Sequence, residues 1–221
     1  MNITLTGNLG SGKTTICNIL KERGYEIVST GKIFREIAEE KNVSVIELNE
    51  MAKKDRSIDD LLDDKTTELG KTLDNVVFDS RLAWNFVPTS FKVFLLVDMD
   101  EAARRVFQDS ERNAESYVSE ADAKAGLLNR AGLEKARFQD LYQINYYNAA
   151  NYNLIIESTA AKPEEIADEI IKQFEMYQEQ CYSTRIMLNV KEKDALHRFQ
   201  ELSLEEVRAN ETIKNGFFMD F

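Results

Sequence analysis

The sequence predicts an α/β fold of three layers, with a five-stranded parallel sheet between two layers of helices. Three observations carry this. The strand-like segments "ITLT", "YEIVS", "NVVFD", "FKVFLLVD" and "YNLIIES" are each followed by a helical pattern, the rhythm of repeated β-α units. "VFLLV" and "LIIE" are apolar without alternation, as strands covered on both faces must be. A glycine-rich stretch, "GNLGSGKTT", joins the first strand to the first helix.

In the first strand, Ile3 and Leu5 alternate with Thr4 and Thr6. Residues Gly7 to Thr14 then match the phosphate-loop pattern G-x-x-x-x-G-K-[ST]. Gly7, Gly10 and Gly12 allow backbone N–H groups to converge on phosphate oxygens, and the helix opening at Gly12 turns its positive end toward the anion. In this pattern Lys13 reaches the β- and γ-phosphates and Thr14 places its hydroxyl on Mg²⁺. The helix that follows carries Ile16, Ile19 and Leu20 on one face and stops at Gly24.

Between the second and third strands, residues 31–74 form a polar helical stretch too long for a plain crossover, hence an inserted module for an acceptor substrate. The third strand, Val76, Val77 and Phe78, ends in Asp79, placed to deliver a carboxylate to the Mg²⁺ shell. A second insert, residues 100–150, is rich in arginine. Two inserts over a phosphate loop imply two phosphate-bearing substrates brought together. Pro163 opens a further helix, and residues 176–221 form an α/β extension. There "RIMLNV" reads as an edge strand. The run from Lys191 to Ile213 reads as an amphipathic helix with Ala195, Phe199, Leu202, Leu204 and Val207 on one face. No phosphate chemistry is visible in the extension, so it is expected to pack on the main domain or to make a homodimer contact.

Composition narrows the function. A chain of 221 residues with 43% hydrophobic content can bury one substantial core. The formal charge of −11 argues against nucleic-acid or anionic-membrane surfaces, which need clustered Lys and Arg. The longest apolar runs are too short to span a bilayer and no signal-like leader precedes the first strand, so a cytoplasmic protein is expected. Cys17, Cys181 and the single His197 lack metal-ligand spacing, which leaves Cys17 as a helix-face packing residue. The guanine-reading N-K-x-D and the transporter signature L-S-G-G-Q are both missing, and a small kinase remains.

The segments "GNLGSGKTT", "STGKIFREIAEE", "VVFDSRLAW", "NRAGLEKARFQDLYQIN" and "YNLIIESTAAKPEEIADEII" occur in an order that resembles the cytidylate kinases, especially their short archaeal-type branch, over residues 1–175. The resemblance implies a P-loop kinase fold that transfers phosphoryl from ATP to CMP or dCMP with Mg²⁺, small-molecule nucleotides being its partners. It implies that Gly10, Ser11, Gly12, Lys13, Thr14 and Thr15 hold the ATP phosphates and that Ser158 and Thr159 border the adenine. Thr30, Gly31, Phe34, Arg35 and Arg81 would bind the acceptor, and Arg105, Arg112, Arg130 and Arg137 are the lid candidates, the last two on one helix face. The chain departs from the family in reading Asp-Ser-Arg for Glu-Gly-Arg at residues 79–81 and in carrying Ala102, Asp109 and Lys65 at positions usually arginine, and Asn145 at one usually aspartate. A dephospho-coenzyme A kinase and a non-catalytic nucleotide-binding regulator are the competing expectations.

Overall fold

Strand β1 (Ile3–Gly7) is buried along its whole length and pairs in parallel with a strand on either side, which makes it the centre of the sheet. In the computed structural model, which describes residues 1–52, 54–108, 117–180, 182–190 and 198–221, the chain leaves β1 through helix α1 (Lys13–Glu22) to β2 (Glu26–Ser29). Helices α2 (Thr30–Glu40), α3 (Val45–Ala52) and α4 (Ser57–Thr72) precede β3 (Val76–Asp79), which returns to lie between β2 and β1. The short α5 (Ala83–Phe86) leads to β4 (Phe91–Leu96) on the other side of β1. Helices α6 (Met99–Gln108) and α7 (Glu120–Tyr142) lead to β5 (Leu154–Glu157), and α8 (Pro163–Glu179) follows.

Among the described residues seven strands form the sheet, in the order β2-β3-β1-β4-β5-β6-β7, where five were expected. The two added strands, β6 (Arg185–Val190) and β7 (Arg198–Ser203), belong to the C-terminal extension, followed by α9 (Leu204–Ala209) and α10 (Glu211–Gly216). "RIMLNV" is therefore no edge: β6 pairs in parallel with β5 and antiparallel with β7. The helix expected over Lys191–Ile213 is also corrected. Residues 191–197, with Ala195 and His197, lie outside the described residues, and Arg198–Ser203 is a strand. Phe199 packs into the apolar cluster on one side of the sheet and Leu202 into the cluster on the other, as alternation along a strand requires.

The same alternation explains the unbroken apolar runs. On β4, Phe91, Val93 and Leu95 pack under α1 and α8, while Phe94 and Leu96 pack with Ala102, Leu127 and Tyr152 on the face that carries α6 and α7. A third cluster, with Ile33, Ile37, Leu48, Ile58 and Phe78, seats the α2–α4 insert against the β2–β3 edge. Its attachment to the sheet also uses Asn2, buried at 5% exposure. The Asn2 amide donates to the carbonyls of Gly70 and Leu73 at 3.2 and 2.9 Å, and its side-chain oxygen accepts from the Val76 N–H at 3.2 Å.

Asn2→Ala removes three hydrogen bonds and leaves buried backbone groups without partners, a loss of about 2–3 kcal/mol. Urea denaturation is expected to show a lower midpoint with unchanged slope.

Candidate active site

The connection from β1 runs through α1 to β2 on one side, while that from the neighbouring β3 runs through α5 to β4 on the other; a crevice opens at such a switch point. The glycines of the connecting loop are dictated by space and dihedral angle. A Cβ on Gly7 would stand 2.6 Å from the Leu95 carbonyl oxygen, and one on Gly10 would stand 2.9 Å from Cβ of Ala102 on α6. Gly10 and Gly12 both have φ of 79°, a left-handed conformation that favours glycine. Gly12 caps α1 without a side-chain hydrogen bond, which leaves first-turn N–H groups available to an anion.

A cleft of about 1090 Å³ lies over this loop. Lys13, Thr14 and Thr15 line it from α1, Thr30 and Gly31 from α2, Asp79 and Arg81 from the end of β3, and Arg130 and Arg137 from α7. Lys13 and Asp79 form an ion pair, each side chain about one-fifth exposed, at 20% and 18%. Burial and the nearby Arg81 pull the Lys13 ammonium down to about 8, against the opposing effects of Cys17 and Glu134. Thr30 reaches the Asp79 carbonyl at 3.5 Å.

The arginines meet on a residue that the sequence reading missed, Glu134. Its carboxylate accepts from Nε of Arg81 at 3.1 Å, from Nε of Arg130 at 3.2 Å and from the Tyr146 hydroxyl at 3.1 Å. Arg81 also donates to the Gly7 carbonyl at 3.2 Å, which ties the cluster to the phosphate loop. The one sequence signal for Glu134 is its position four residues after Arg130, and that spacing is common on exposed helices. Asp59 and Asp63, one helical turn apart on α4, were also missed. Arg137 grips both oxygens of Asp59 at 3.2 and 3.1 Å, and the Tyr142 hydroxyl donates to Asp63 at 2.8 Å. Burial raises the Asp63 carboxyl to about 6.

Other expected residues occupy the periphery. Phe34 lines an adjoining cavity of about 890 Å³ together with Asp59 and Arg137. Arg35 is exposed on α2 and lines neither space. Ser158 and Thr159 stand beside the loop, where their carbonyls accept from Nη2 of Arg105 at 2.6 and 3.0 Å. Arg105 also donates to Glu101 at 2.8 Å and to the Gly10 carbonyl at 3.4 Å, so it staples the phosphate loop to residues 158–159. Ala102 is wholly buried against Gly10, a position where no arginine would fit. Lys65 pairs with Glu40, and Asn145 binds Asp220. Arg112, Asp109 and Cys181 lie outside the described residues. Cys17 is buried, and burial pushes its thiol up to about 11, in keeping with packing. Among the described residues no group of His, Cys, Asp and Glu could hold a metal by itself, and no helix is long and apolar enough to cross a membrane.

The sequence matches the cytidylate kinase-like family over residues 2–160. The chain belongs to that family. It is 34% identical over 172 residues to a cytidylate kinase of Methanobrevibacter smithii, a match that spans 77% of this chain and 96% of the relative. A cytidylate kinase of Thermoplasma volcanium is 32% identical over 194 residues, spanning 85% of this chain and 98% of that one. Among solved structures, the shikimate kinase of Bacteroides thetaiotaomicron superimposes with a TM-score of 0.53 at 16% identity, covering 79% of this chain and 98% of that one, a likeness of fold. The protein is a P-loop kinase with a mostly parallel sheet.

Gly10→Ala tests the loop geometry, because the new methyl meets Ala102 and the residue must hold φ of 79°. A destabilisation of about 2 kcal/mol is expected from the two effects together, with weakened nucleotide binding in the folded fraction. Thermal melts and nucleotide titration read both.

Proposed function

We propose that this kinase transfers the γ-phosphoryl group of ATP to a nucleoside monophosphate, CMP or dCMP. The observation that carries this reading is the convergence of the phosphate loop with Arg81, Arg130 and Arg137, drawn from separate elements, in one cleft. In this reading Gly7, Gly10, Ser11, Gly12, Thr14 and Thr15 cradle the ATP phosphates, with Ser158 and Thr159 toward the adenine. Thr30, Gly31, Phe34 and Arg81 receive the acceptor, and Arg35, exposed on α2 outside both spaces, would have to swing in to join them.

Thr14 and Asp79 both line the cleft and fit Mg²⁺, which takes one or two protein oxygens beside phosphate oxygens and water. When bound, the ion neutralises charge on the β- and γ-phosphate oxygens. Thr14 and Asp79 would hold the ion, and Asp79 so engaged would leave the Lys13 ammonium available to the transferring group. An acceptor phosphate oxygen forms the new bond to the γ-phosphorus as the bond to the β-bridging oxygen breaks, and ADP leaves. That acceptor oxygen is already ionised near neutral pH, so no general base is needed. The chain's task is positioning and charge stabilisation, for which Lys13, Arg130 and Arg137 suit the equatorial oxygens of a loose transition state.

The base preference is supported by Asp59 and Asp63, whose carboxylates only accept hydrogen bonds. The exocyclic amine of cytosine donates to such a group, whereas the corresponding carbonyl of uracil would oppose it. The names of the two relatives point the same way.

A coupled ADP-release assay across CMP, dCMP, UMP, AMP and dephospho-coenzyme A checks the reaction. Turnover of CMP or dCMP is expected. Turnover of dephospho-coenzyme A alone would overturn the reading, and ATP binding with no turnover of any acceptor would favour the regulator. Lys13→Ala is expected to lower kcat by about a hundredfold or more, and Arg81→Ala to act mainly on the acceptor KM.

Asp63→Asn replaces one of the two accepting oxygens by a donating NH2 group, and the CMP-over-UMP ratio of kcat/KM is expected to fall by about tenfold. In the parent protein the carboxylate form exists above its raised value of about 6. The CMP preference should therefore decline as pH falls through that value, and this decline should be absent in Asp63→Asn.

A further inference from the structure

Beyond α10 the chain turns back, and residues 217–221 bind two parts of the cleft at once. The Phe218 carbonyl accepts from the Asn8 amide at 3.0 Å. Asn8 is the second residue of the phosphate loop, buried at 4% exposure, and its side-chain oxygen accepts from the Val97 N–H at 3.3 Å, just beyond β4. The loop is thus held from one side by the scaffold and from the other by the tail.

The second attachment is to the helix that carries Arg130, Glu134 and Arg137. Asp220 accepts from Lys135 of α7 at 2.6 Å and from Asn145 at 2.5 Å. Its backbone N–H donates to Tyr147 at 2.9 Å and its carbonyl accepts from Ala149 at 2.8 Å, a short bridge onto the segment after α7. The Phe218 ring stands edge-on to Tyr147 at 4.7 Å, and Tyr147 lies against Tyr146 at 4.1 Å. The Tyr146 hydroxyl donates to Glu134, the carboxylate that holds Arg81 and Arg130. A continuous path of contacts therefore joins the tail to the arginine cluster.

We propose that residues 217–221 are a strap that positions the phosphate loop against the arginine-bearing helix, with Asn8 and Asp220 as its positioning residues. The strap lies beyond residues 2–160, the part matched by the family. A merely stabilising tail would have no need to engage a side chain of the loop itself. The expectation that the extension stands apart from phosphate chemistry gives way to this one. The inference rests on the kinase reading only for its catalytic readout, since ATP affinity can be measured without turnover.

The test compares the full chain with a variant lacking residues 217–221 and with Asp220→Ala and Asp220→Glu. Calorimetric titration gives ATP affinity, the coupled assay gives kcat and KM, and circular dichroism with thermal melts reports folding. The truncated protein is expected to be folded, with ATP binding weakened about tenfold, the size of one or two lost hydrogen bonds. Asp220→Ala is expected to change ATP Kd or acceptor KM at least about threefold with little change in Tm, because its ion pair is largely exposed, and Asp220→Glu should restore the value. If truncation prevents folding, the Asp220 variants carry the test. Parent values of ATP Kd and acceptor KM in both Asp220 variants, or in a folded truncated protein, would overturn the strap. Loss of turnover on every acceptor by the full chain with ATP Kd still responsive to the strap would sink the proposed reaction and leave the strap standing.

Discussion

Lys13, Arg81, Arg130 and Arg137 line a single cleft, and like charges gathered in this way repel unless each has a counter-charge. The chain supplies these from its own acids. Asp79 pairs with Lys13, Glu134 is shared by Arg81 and Arg130, and Asp59 holds Arg137. Arg130 and Arg137 are about half exposed, at 46% and 58%, so their pairs are worth little net stability and can be exchanged for a phosphate oxygen at modest cost, whereas the Lys13–Asp79 and Arg81–Glu134 pairs are more buried. An overall charge of −11 and a phosphate site are thus compatible, because the cations are concentrated locally and the acids beside them act as placeholders.

Where those cations stand depends on how closely the loop is packed. Gly7 lies against Leu95 of β4, Gly10 lies against Ala102 of α6, and Arg105 of α6 reaches the carbonyls of Gly10, Ser158 and Thr159. These contacts come from strands and helices whose apolar faces are wholly buried, so the loop inherits the rigidity of the core. Asn8 extends the same scheme to residues far along the chain, since its one amide satisfies both Val97 and Phe218.

Much of this was legible in advance, and the reasons are local. Strands β1 to β5, the phosphate loop and Asp79 at the end of β3 all follow from short-range patterns. Other features were misread or invisible because they depend on distant partners. Ala102 looks like a missing arginine until Gly10 is seen to need the space. Glu134 has only the common four-residue spacing from Arg130 to mark it in the sequence, since Arg81 and Tyr146 reach it from separate segments. Phe199, Leu202, Leu204 and Val207 fit a helical face as well as a strand followed by a short helix, and pairing with β6 decided for the strand.

What the sequence by itself determined is whatever a few consecutive residues constrain: the left-handed turns that favour Gly10 and Gly12, the alternation of buried strands, and a lysine at the start of a helix behind a strand. The tertiary structure alone decided which acids neutralise which bases, which face of α4 meets α7, and that residues 217–221 return to the phosphate loop. The physical reason is that hydrogen bonds and ion pairs between separate elements depend on how those elements pack. A pairing such as Asn8 with Phe218, 210 residues apart, leaves no periodic trace in either segment.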